Sequence, residues 1–493
     1  MIAADAKSFK CRVKSPPKIR RVLRFAALCG LLAASCAVAQ PNALPAAMRE
    51  ALRDGGIPPS SVAAVVQELG GRRILLSVNA ASAMNPASVM KLVTTYAALE
   101  LLGPAFRWRT EVYLDGSLRG DVLDGNLVLK GGGDPKLDQE RFWMLLRSLR
   151  GKGLREIRGD LVLDRSYFAE PRGDPGAFDG EALRPYNVLP DALLVNFNAL
   201  RFGFVPEPSG GGVRVFADPR PPGLELVNTL RLAEGPCIEG RAFRALIGAS
   251  FDGGQPPRAA FTGRYPASCG ERELSVALLN PREQVAGIMR QLWAEIGGTW
   301  SGAVRDGAAP AGVEPFHVHE SAPLAEIVRD TNKFSINVMA RQMFLTIAAE
   351  LTGAPAQPEA AQRVIRQLLA VKGVDAPELV LENGSGLSRV ERISAASLVA
   401  LLNAAWQSAV MPEFMASLPI VSVDGTMRRR LRGDPVAGRA HIKSGLLSDS
   451  AAVAGYVLDR SGRRLAVAAI INHPNAPNAQ SALEALLRWA YER

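Results

Sequence analysis

Histidine and cysteine are scarce in this chain of 493 residues, and their scarcity excludes several kinds of site. The chain has four histidines and five cysteines, and no two cysteines have the C-x-x-C spacing common in zinc and redox sites. His317 and His319 alternate as neighbours on one strand face would, but two ligands without partners do not make a metal site. We therefore expect neither a metal nor a cofactor. A Ser-His-Asp hydrolase is also hard to assemble, because the G-x-S-x-G sequence is missing.

No apolar run reaches the roughly 20 residues that a membrane-spanning helix needs. The run at residues 25–36 is shorter, follows eight basic residues and precedes Ala37-Val38-Ala39, a small-x-small cleavage signal. This layout predicts a secretory signal peptide over residues 1–39. Lipoprotein processing at Cys36 is the alternative, although an alanine rather than a leucine stands three positions before it. We expect an exported, periplasmic protein of the Gram-negative kind, with no transmembrane segment after signal removal.

The net charge of +10 does not indicate nucleic-acid binding, because +7 of it lies in residues 1–39. The rest of the chain carries only +3, which gives little electrostatic reason to bind a polyanion. A basic run at residues 427–432 is the exception, and we interpret it as a solvated surface loop.

Three of the five cysteines lie within the predicted leader. Cys237 and Cys269 remain, and two cysteines in an oxidising compartment can form one disulfide. Two inert buried thiols are the alternative.

The length of the chain suggests about three domains. A predicted hairpin at residues 61–78 and another at residues 451–471 could pair into one sheet, which would make the middle of the chain an insertion. Short strand-like runs and Gly/Pro/Asp turns dominate from about residue 110 to 285. We therefore predict an α/β (α+β) protein with a signal peptide at 1–39, a catalytic domain at 40–110 and 286–493, and an inserted β-rich region at 111–285.

Ser88 and Lys91 lie three residues apart at the start of an apolar helix. This spacing places both side chains on one helix face, one turn apart. A serine needs a base within hydrogen-bond reach to attack a carbonyl, and a neutral lysine amine can be that base. The pair also occurs by chance in many proteins, so it indicates little by itself.

Two further motifs raise the significance of that pair. Ser335 and Asn337 form Ser-x-Asn, and Lys443-Ser444-Gly445 stands just before the terminal hairpin. Each motif alone is compatible with a helix cap or a turn. In this order, and behind a signal peptide, the set resembles the penicillin-binding proteins and serine β-lactamases. The resemblance implies a catalytic domain whose antiparallel sheet is flanked by helices.

The gap of 247 residues between Ser88 and Ser335 indicates which group within these proteins the chain resembles. A large insertion there is characteristic of the class C low-molecular-mass penicillin-binding proteins, the D-Ala-D-Ala carboxypeptidase/endopeptidases. Three other stretches are similar to that family: residues 125–135, 383–389 and 417–426. The chain departs from the family at Ser444, where threonine is common, and at Asn383, where aspartate is expected.

The resemblance implies a catalytic role for three residues. Ser88 would be the nucleophile that forms an acyl-enzyme, and Lys91 its general base. Ser335 would relay a proton toward the leaving amine.

The resemblance also implies substrate contacts. Asn337 would bind the substrate amide and hold Lys91, and Lys443 would supply positive charge near the substrate carboxylate, beside Ser444 and Gly445. The backbone N–H groups of the nucleophile and of Leu446 would form the oxyanion hole.

The sequence therefore predicts a serine D-Ala-D-Ala carboxypeptidase, a D,D-endopeptidase, or both. Its partners would be peptidoglycan stem peptides and, as covalent inhibitors, β-lactam antibiotics. A serine β-lactamase of the same fold is one alternative, because the sequence shows nothing that sets the rate of deacylation. A catalytically idle scaffold that binds the cell wall is another, although the intact set of Ser88, Lys91 and Lys443 argues against it.

Overall fold

The structure is a computed structural model that describes residues 43–71, 73–169, 173–207 and 211–493. The predicted signal peptide, with Cys36 in it, lies outside these residues. Within these ranges, no helix is long and apolar enough to cross a membrane.

The chain contains both helices and strands. The helix Lys91–Leu102 is buried along residues 91–99, because it is largely apolar on every side, and it is followed by Gly103 with φ of +81°. The helices are α1 (Ala46–Asp54), α2 (Lys91–Leu102), α3 (Gln139–Gly151), α4 (Gly240–Leu246), α5 (Pro281–Glu295), α6 (Leu324–Phe334), α7 (Asn337–Thr352), α8 (Pro358–Val371), α9 (Ala395–Trp406), α10 (Met411–Ser417) and α11 (Gln480–Tyr491).

The strands form several sheets, and most of them are short. They are β1 (Val62–Glu68), β2 (Ile74–Val78), β3 (Arg109–Arg119), β4 (Val122–Gly131), β5 (Glu156–Ile157), β6 (Leu161–Asp164), β7 (Leu200–Glu207), β8 (Gly212–Asp218), β9 (Glu225–Asn228), β10 (Arg231–Ala233), β11 (Ser250–Asp252), β12 (Arg258–Phe261), β13 (Arg264–Pro266), β14 (Arg272–Val276), β15 (Thr299–Trp300), β16 (Val304–Asp306), β17 (His317–Glu320), β18 (Ala440–Leu446), β19 (Ser450–Leu458) and β20 (Arg464–Asn472).

The two ends of the chain build one antiparallel sheet in the order β18-β19-β20-β1-β2. We call it the catalytic sheet, because β18 carries the Lys443-Ser444-Gly445 motif. β1 pairs with β20, with Val62 opposite Ile471, so the two predicted hairpins do join. Alternate residues of β1 face opposite sides: Ala63 belongs to the core that contains α2, α7 and α9, whereas Ala64 belongs to the core that contains α1 and α11. Helices therefore cover both faces of this sheet, which confirms the predicted fold class.

The middle of the chain builds further sheets of its own. One has the order β15-β5-β4-β3-β17, with β6 and β16 attached, and encloses a core with α3 and α5. A second group combines the sheet β13-β10-β8-β7-β14 with the sheet β11-β12-β9 around an aromatic core. Residue 285, the expected end of the insertion, falls inside α5, and β17 pairs with β3. We therefore propose that the inserted region continues to Glu320, since that is where its first sheet ends.

Cys237 and Cys269 are joined by a disulfide in the second group of inserted sheets, with their Cα atoms 4.8 Å apart. Closing a loop of this length stabilises the fold by roughly 3–4 kcal/mol in the chain-entropy model. We expect reduction to lower the melting temperature and to change the rate of penicillin acylation little, because the bond is not in the catalytic sheet. Non-reducing peptide mapping of exported protein checks the bond, and finding both thiols free would contradict it.

Candidate active site

Ser88 lies in a short 3-10 turn that leads into α2. Hydrogen bonds of the preceding residue Asn85 connect this turn to the catalytic sheet. The N–H of Asn85 donates to Asn472 Oδ1 at 2.8 Å, and the carbonyl of Asn85 accepts from Ser450 Oγ at 2.6 Å. Ala87 has φ of +47°, a conformation that costs a residue with a side chain about 1–3 kcal/mol. The ends of β19 and β20 thus hold the serine in a strained turn.

The side chain of Lys91 is fully buried, and its Nζ faces three oxygen atoms. It lies 3.0 Å from Ser88 Oγ, 2.7 Å from Asn337 Oδ1 and 2.5 Å from the carbonyl oxygen of Ser385. The structure therefore brings together Ser88, Lys91 and Asn337, as the motifs led us to expect. The Ser385 carbonyl was missed, because a backbone oxygen leaves no mark in a sequence.

Burial holds the pKa of Lys91 well below its usual range, and the charge of Lys443 lowers it further. Glu391 opposes this shift, while Arg341 adds to it. Burial also lowers the pKa of Lys443, to about 7. These effects favour the free amine of Lys91, which is the form that a general base needs.

The second motif occupies the sharp junction between α6 and α7. Ser335 ends α6 in the left-handed conformation, with φ of +58°, and its Oγ accepts a hydrogen bond from Lys443 Nζ at 2.8 Å. Asn337 is the first residue of α7. Because glycine is the usual residue in a left-handed helix end, a serine there suggests that its hydroxyl is needed.

The inserted region reaches this junction. The carbonyl of Tyr186 accepts from Asn337 Nδ2 at 3.1 Å, and the carbonyl of Val188 accepts from Arg341 Nη1 at 3.0 Å. With Nδ2 donating to Tyr186, the Oδ1 of Asn337 is directed toward Lys91. The insertion therefore helps to orient a residue of the second motif.

The third motif lies on β18, an edge strand of the catalytic sheet. The N–H of Ile442 points away from β19, because it donates to the carbonyl of Pro419 at 2.7 Å. Since strand residues alternate, the N–H groups of Ser444 and Leu446 point to the same edge. A Cβ on Gly445 would lie 2.9 Å from the backbone nitrogen of Ser88. Only glycine therefore allows the edge of β18 to pack against the serine.

Asn383, where the resemblance led us to expect aspartate, organises the loop that carries Ser385. Its Oδ1 accepts the N–H of Ser385 at 3.0 Å and the hydroxyl of Ser385 at 2.6 Å. Either residue type could supply this acceptor. The amide Nδ2 also donates to the carbonyl of Leu387 at 3.1 Å, a contact that a carboxylate could not make.

A cavity of about 550 Å³ opens beside this loop. Its lining carries both signs of charge, from Asp174, Glu359, Glu382, Arg341 and Arg389. The guanidinium of Arg389 also stacks on the ring of Phe178, 4.1 Å from its centroid. The cavity is thus suited to a side chain with both an amino and a carboxylate group.

The remaining candidates lie outside this site. The disulfide of Cys237 and Cys269 is in the inserted sheets. His317 and His319 lie on β17, and burial lowers the pKa of both. Among the residues that the structure describes, no group of three or more His, Cys, Asp or Glu side chains could hold a metal ion.

Known proteins resemble this chain along most of its length. The model of the D-Ala-D-Ala carboxypeptidase 3 (S13) family matches residues 44–491. A D-alanyl-D-alanine carboxypeptidase of Actinomadura sp. (strain R39) is 30% identical over 446 residues, which cover 86% of this chain and 80% of that protein. The carboxypeptidase DacB of Haemophilus influenzae is 24% identical over 415 residues, covering 84% of this chain and 85% of DacB.

The fold is shared with a solved structure. Penicillin binding protein 4 (dacB) of Haemophilus influenzae superposes with a TM-score of 0.73 at 23% identity, covering 90% of this chain and 99% of that protein. A second structure of that protein holds a β-lactam. These matches confirm the resemblance to the low-molecular-mass penicillin-binding proteins. The chain therefore belongs to the D-Ala-D-Ala carboxypeptidase 3 (S13) family.

Proposed function

We propose that Ser88 is the nucleophile of this serine D-Ala-D-Ala carboxypeptidase and that Lys91 is its general base. The observation that carries the proposal is the environment of Lys91 Nζ. A neutral amine has two N–H donors and one lone pair. Asn337 Oδ1 and the Ser385 carbonyl accept the two donors, which leaves the lone pair for the hydroxyl hydrogen of Ser88.

The reaction would begin with attack by Ser88 Oγ on the carbonyl carbon of the penultimate D-Ala, while the hydroxyl proton passes to Lys91. The N–H groups of Ser88 and Leu446 would stabilise the oxyanion, and each such donor is worth about 10²–10³ in rate in other enzymes. Breaking the C–N bond needs a proton on the leaving amine. Ser335, which accepts a hydrogen bond from Lys443, would relay it. Water would then hydrolyse the acyl ester.

Lys443 is the candidate anchor for the carboxylate at the end of the substrate. Its Nζ donates to Ser335 Oγ and to the carbonyl of Ser444 at 2.7 Å, and the Ser444 hydroxyl lies 3.0 Å from Thr426 Oγ1. A bound carboxylate would raise the pKa of Lys443 and keep it charged.

The substrates we propose are the stem peptides of peptidoglycan, in which the enzyme removes terminal D-Ala or cuts D-Ala–diaminopimelate cross-links. Diaminopimelate carries a distal amino group and a distal carboxylate, which matches the mixed charges of the cavity beside the Ser385 loop. Because this polymer lies outside the cytoplasmic membrane, we propose that the protein is exported to the periplasm.

Turnover of a peptide ending in D-Ala-D-Ala, measured beside a cross-linked dimer and penicillin, tests the proposal. We expect release of D-Ala by the wild-type protein, and slow release of the penicilloyl group. Ser88→Ala is the control that should do neither. Fast penicillin hydrolysis without D-Ala release would instead indicate a β-lactamase, and a protein that neither turns over peptide nor takes up penicillin would be a scaffold.

A further inference from the structure

Glu391 has no exposed surface and accepts four backbone hydrogen bonds. Its Oε1 accepts the N–H groups of Glu382, Asn383 and Gly384 at 3.1, 3.0 and 2.9 Å. Its Oε2 accepts the N–H of Gly386 at 2.9 Å. Four donors around one carboxyl group favour its ionised form, which only accepts. A buried charge is costly unless it is hydrogen-bonded, so this carboxylate and the backbone around it stabilise one another.

We propose that Glu391 is a positioning residue for the reaction: it fixes residues 382–386 so that the Ser385 carbonyl holds the Lys91 amine against Ser88. This inference rests on the proposed roles of Ser88 and Lys91. Glu391 would touch neither the substrate nor the reacting atoms.

The fixed loop contacts the catalytic pair at two points. The Ser385 carbonyl lies 2.5 Å from Lys91 Nζ. Gly386, with φ of +79°, packs so closely against the nucleophile's turn that an added Cβ would lie 1.9 Å from the carbonyl oxygen of Ala87 and 2.8 Å from the Cα of Ser88. A shift of this loop would therefore displace the amine and the serine together.

The charges around these groups give the proposal a readout beyond stability. Burial and the cations Lys443 (β18) and Arg341 (α7) lower the pKa of Lys91, whereas Glu391 raises it. Burial raises the pKa of Glu391, and so does the charge of Glu382, while the backbone N–H groups act against this shift. Arg341 is the cation that faces it. Removing the charge of Glu391 should thus lower the pKa of Lys91. Acylation requires the free amine of Lys91. The rising limb of the pH–rate profile of acylation should therefore move to lower pH.

The rate of acylation by labelled penicillin, measured across pH together with the melting temperature, tests this role. Glu391→Gln keeps the size of the side chain but loses the charge and one acceptor oxygen. We expect its maximum rate to fall about tenfold to a hundredfold, as small misplacements of catalytic groups do. Its rising limb should lie at lower pH than in the wild type. Glu391→Asp keeps the charge and should keep the limb in place.

Glu378→Gln is the matched control. Glu378 also accepts a backbone N–H, that of Ser394 at 2.9 Å, and the hydroxyl of Ser397 at 2.7 Å, but it does so at the start of α9. Losing these contacts should lower the melting temperature and leave both the maximum rate and the limb unchanged.

Thr94 provides a second route if Glu391→Gln does not fold. Its hydroxyl donates to the carbonyl of Gly384, a residue of the same loop, at 2.6 Å. Thr94→Val keeps the shape, and we expect it to reduce the maximum rate several-fold.

A folded Glu391→Gln protein that has the maximum acylation rate of the wild type, and whose acylation rate rises over the same pH range, would overturn the proposal. So would a wild-type maximum in Thr94→Val if Glu391→Gln is unfolded. Neither result would bear on the nucleophile, because the penicillin adduct of Ser88→Ala decides that separately.

Discussion

Replacing Ser88 with alanine should abolish the covalent penicillin adduct and leave a folded protein. The strained β-lactam carbonyl mimics the acyl-D-Ala-D-Ala bond, and without Oγ no ester can form. Loss of the nucleophile in another serine hydrolase reduces the rate by about 10⁶-fold, so we expect no measurable D-Ala release either. The change removes one oxygen atom from a half-buried side chain, and the backbone contacts of Asn85 with the sheet remain.

Intact-mass analysis after incubation with penicillin checks this result. The wild type should gain the mass of one penicillin, and Ser88→Ala should gain none. Ser82→Ala, which alters an exposed serine six residues earlier, is the control and should acylate as the wild type does. An adduct that persists in Ser88→Ala would remove Ser88 from the mechanism.

Replacing Lys91 with methionine should reduce acylation by about 10²–10⁴-fold, the usual worth of a general base. Methionine has a similar length but cannot accept a proton, and it suits a buried position better than a second fixed cation beside Lys443 would. Lys91→Arg keeps the charge without releasing a proton near neutrality, so it should be equally slow. A Lys91→Arg protein that acylates at nearly the wild-type rate would show that another group takes the proton of Ser88.

The pH profile of the wild type tests the same assignment. The free amine of Lys91 exists above its depressed pKa, so acylation should rise with pH along a limb far below 10. Lys443 loses its charge as pH rises through about 7, so capture of a substrate carboxylate by the free enzyme should weaken above that pH. The rising limb should disappear in Lys91→Met, which contains no base to titrate.

Much of the fold and of the candidate site could be predicted from local patterns. Helical spacing brings Ser88 and Lys91 close together, and that spacing is visible in the sequence. The sequence also indicated that two apolar hairpins at opposite ends of the chain could pair into one sheet, and β1 does pair with β20. The order of the three motifs then indicated the family.

The parts that could not be predicted depend on contacts between distant backbones. The Ser385 carbonyl and the Tyr186 carbonyl act through atoms that every residue has, so no residue type marks them. Glu391 resembles any glutamate until its four N–H partners are known. The sequence does not mark the later end that we propose for the inserted region, because β15 to β17 are short and pair with strands more than a hundred residues earlier.

The closure of the catalytic sheet by its last strand also sets an order for biosynthesis. All strands of the inserted sheets have been synthesised once the chain has reached Glu320. β1, in contrast, pairs with β20 and keeps one unpaired edge until β20 has been synthesised. A nascent chain that has already emerged through Lys443-Ser444-Gly445 contains every catalytic motif yet still lacks Asn472, which fastens Asn85 beside the nucleophile. A prematurely terminated chain would therefore carry the complete motif set without a working site, so hydrolysis can begin only after synthesis has passed β20.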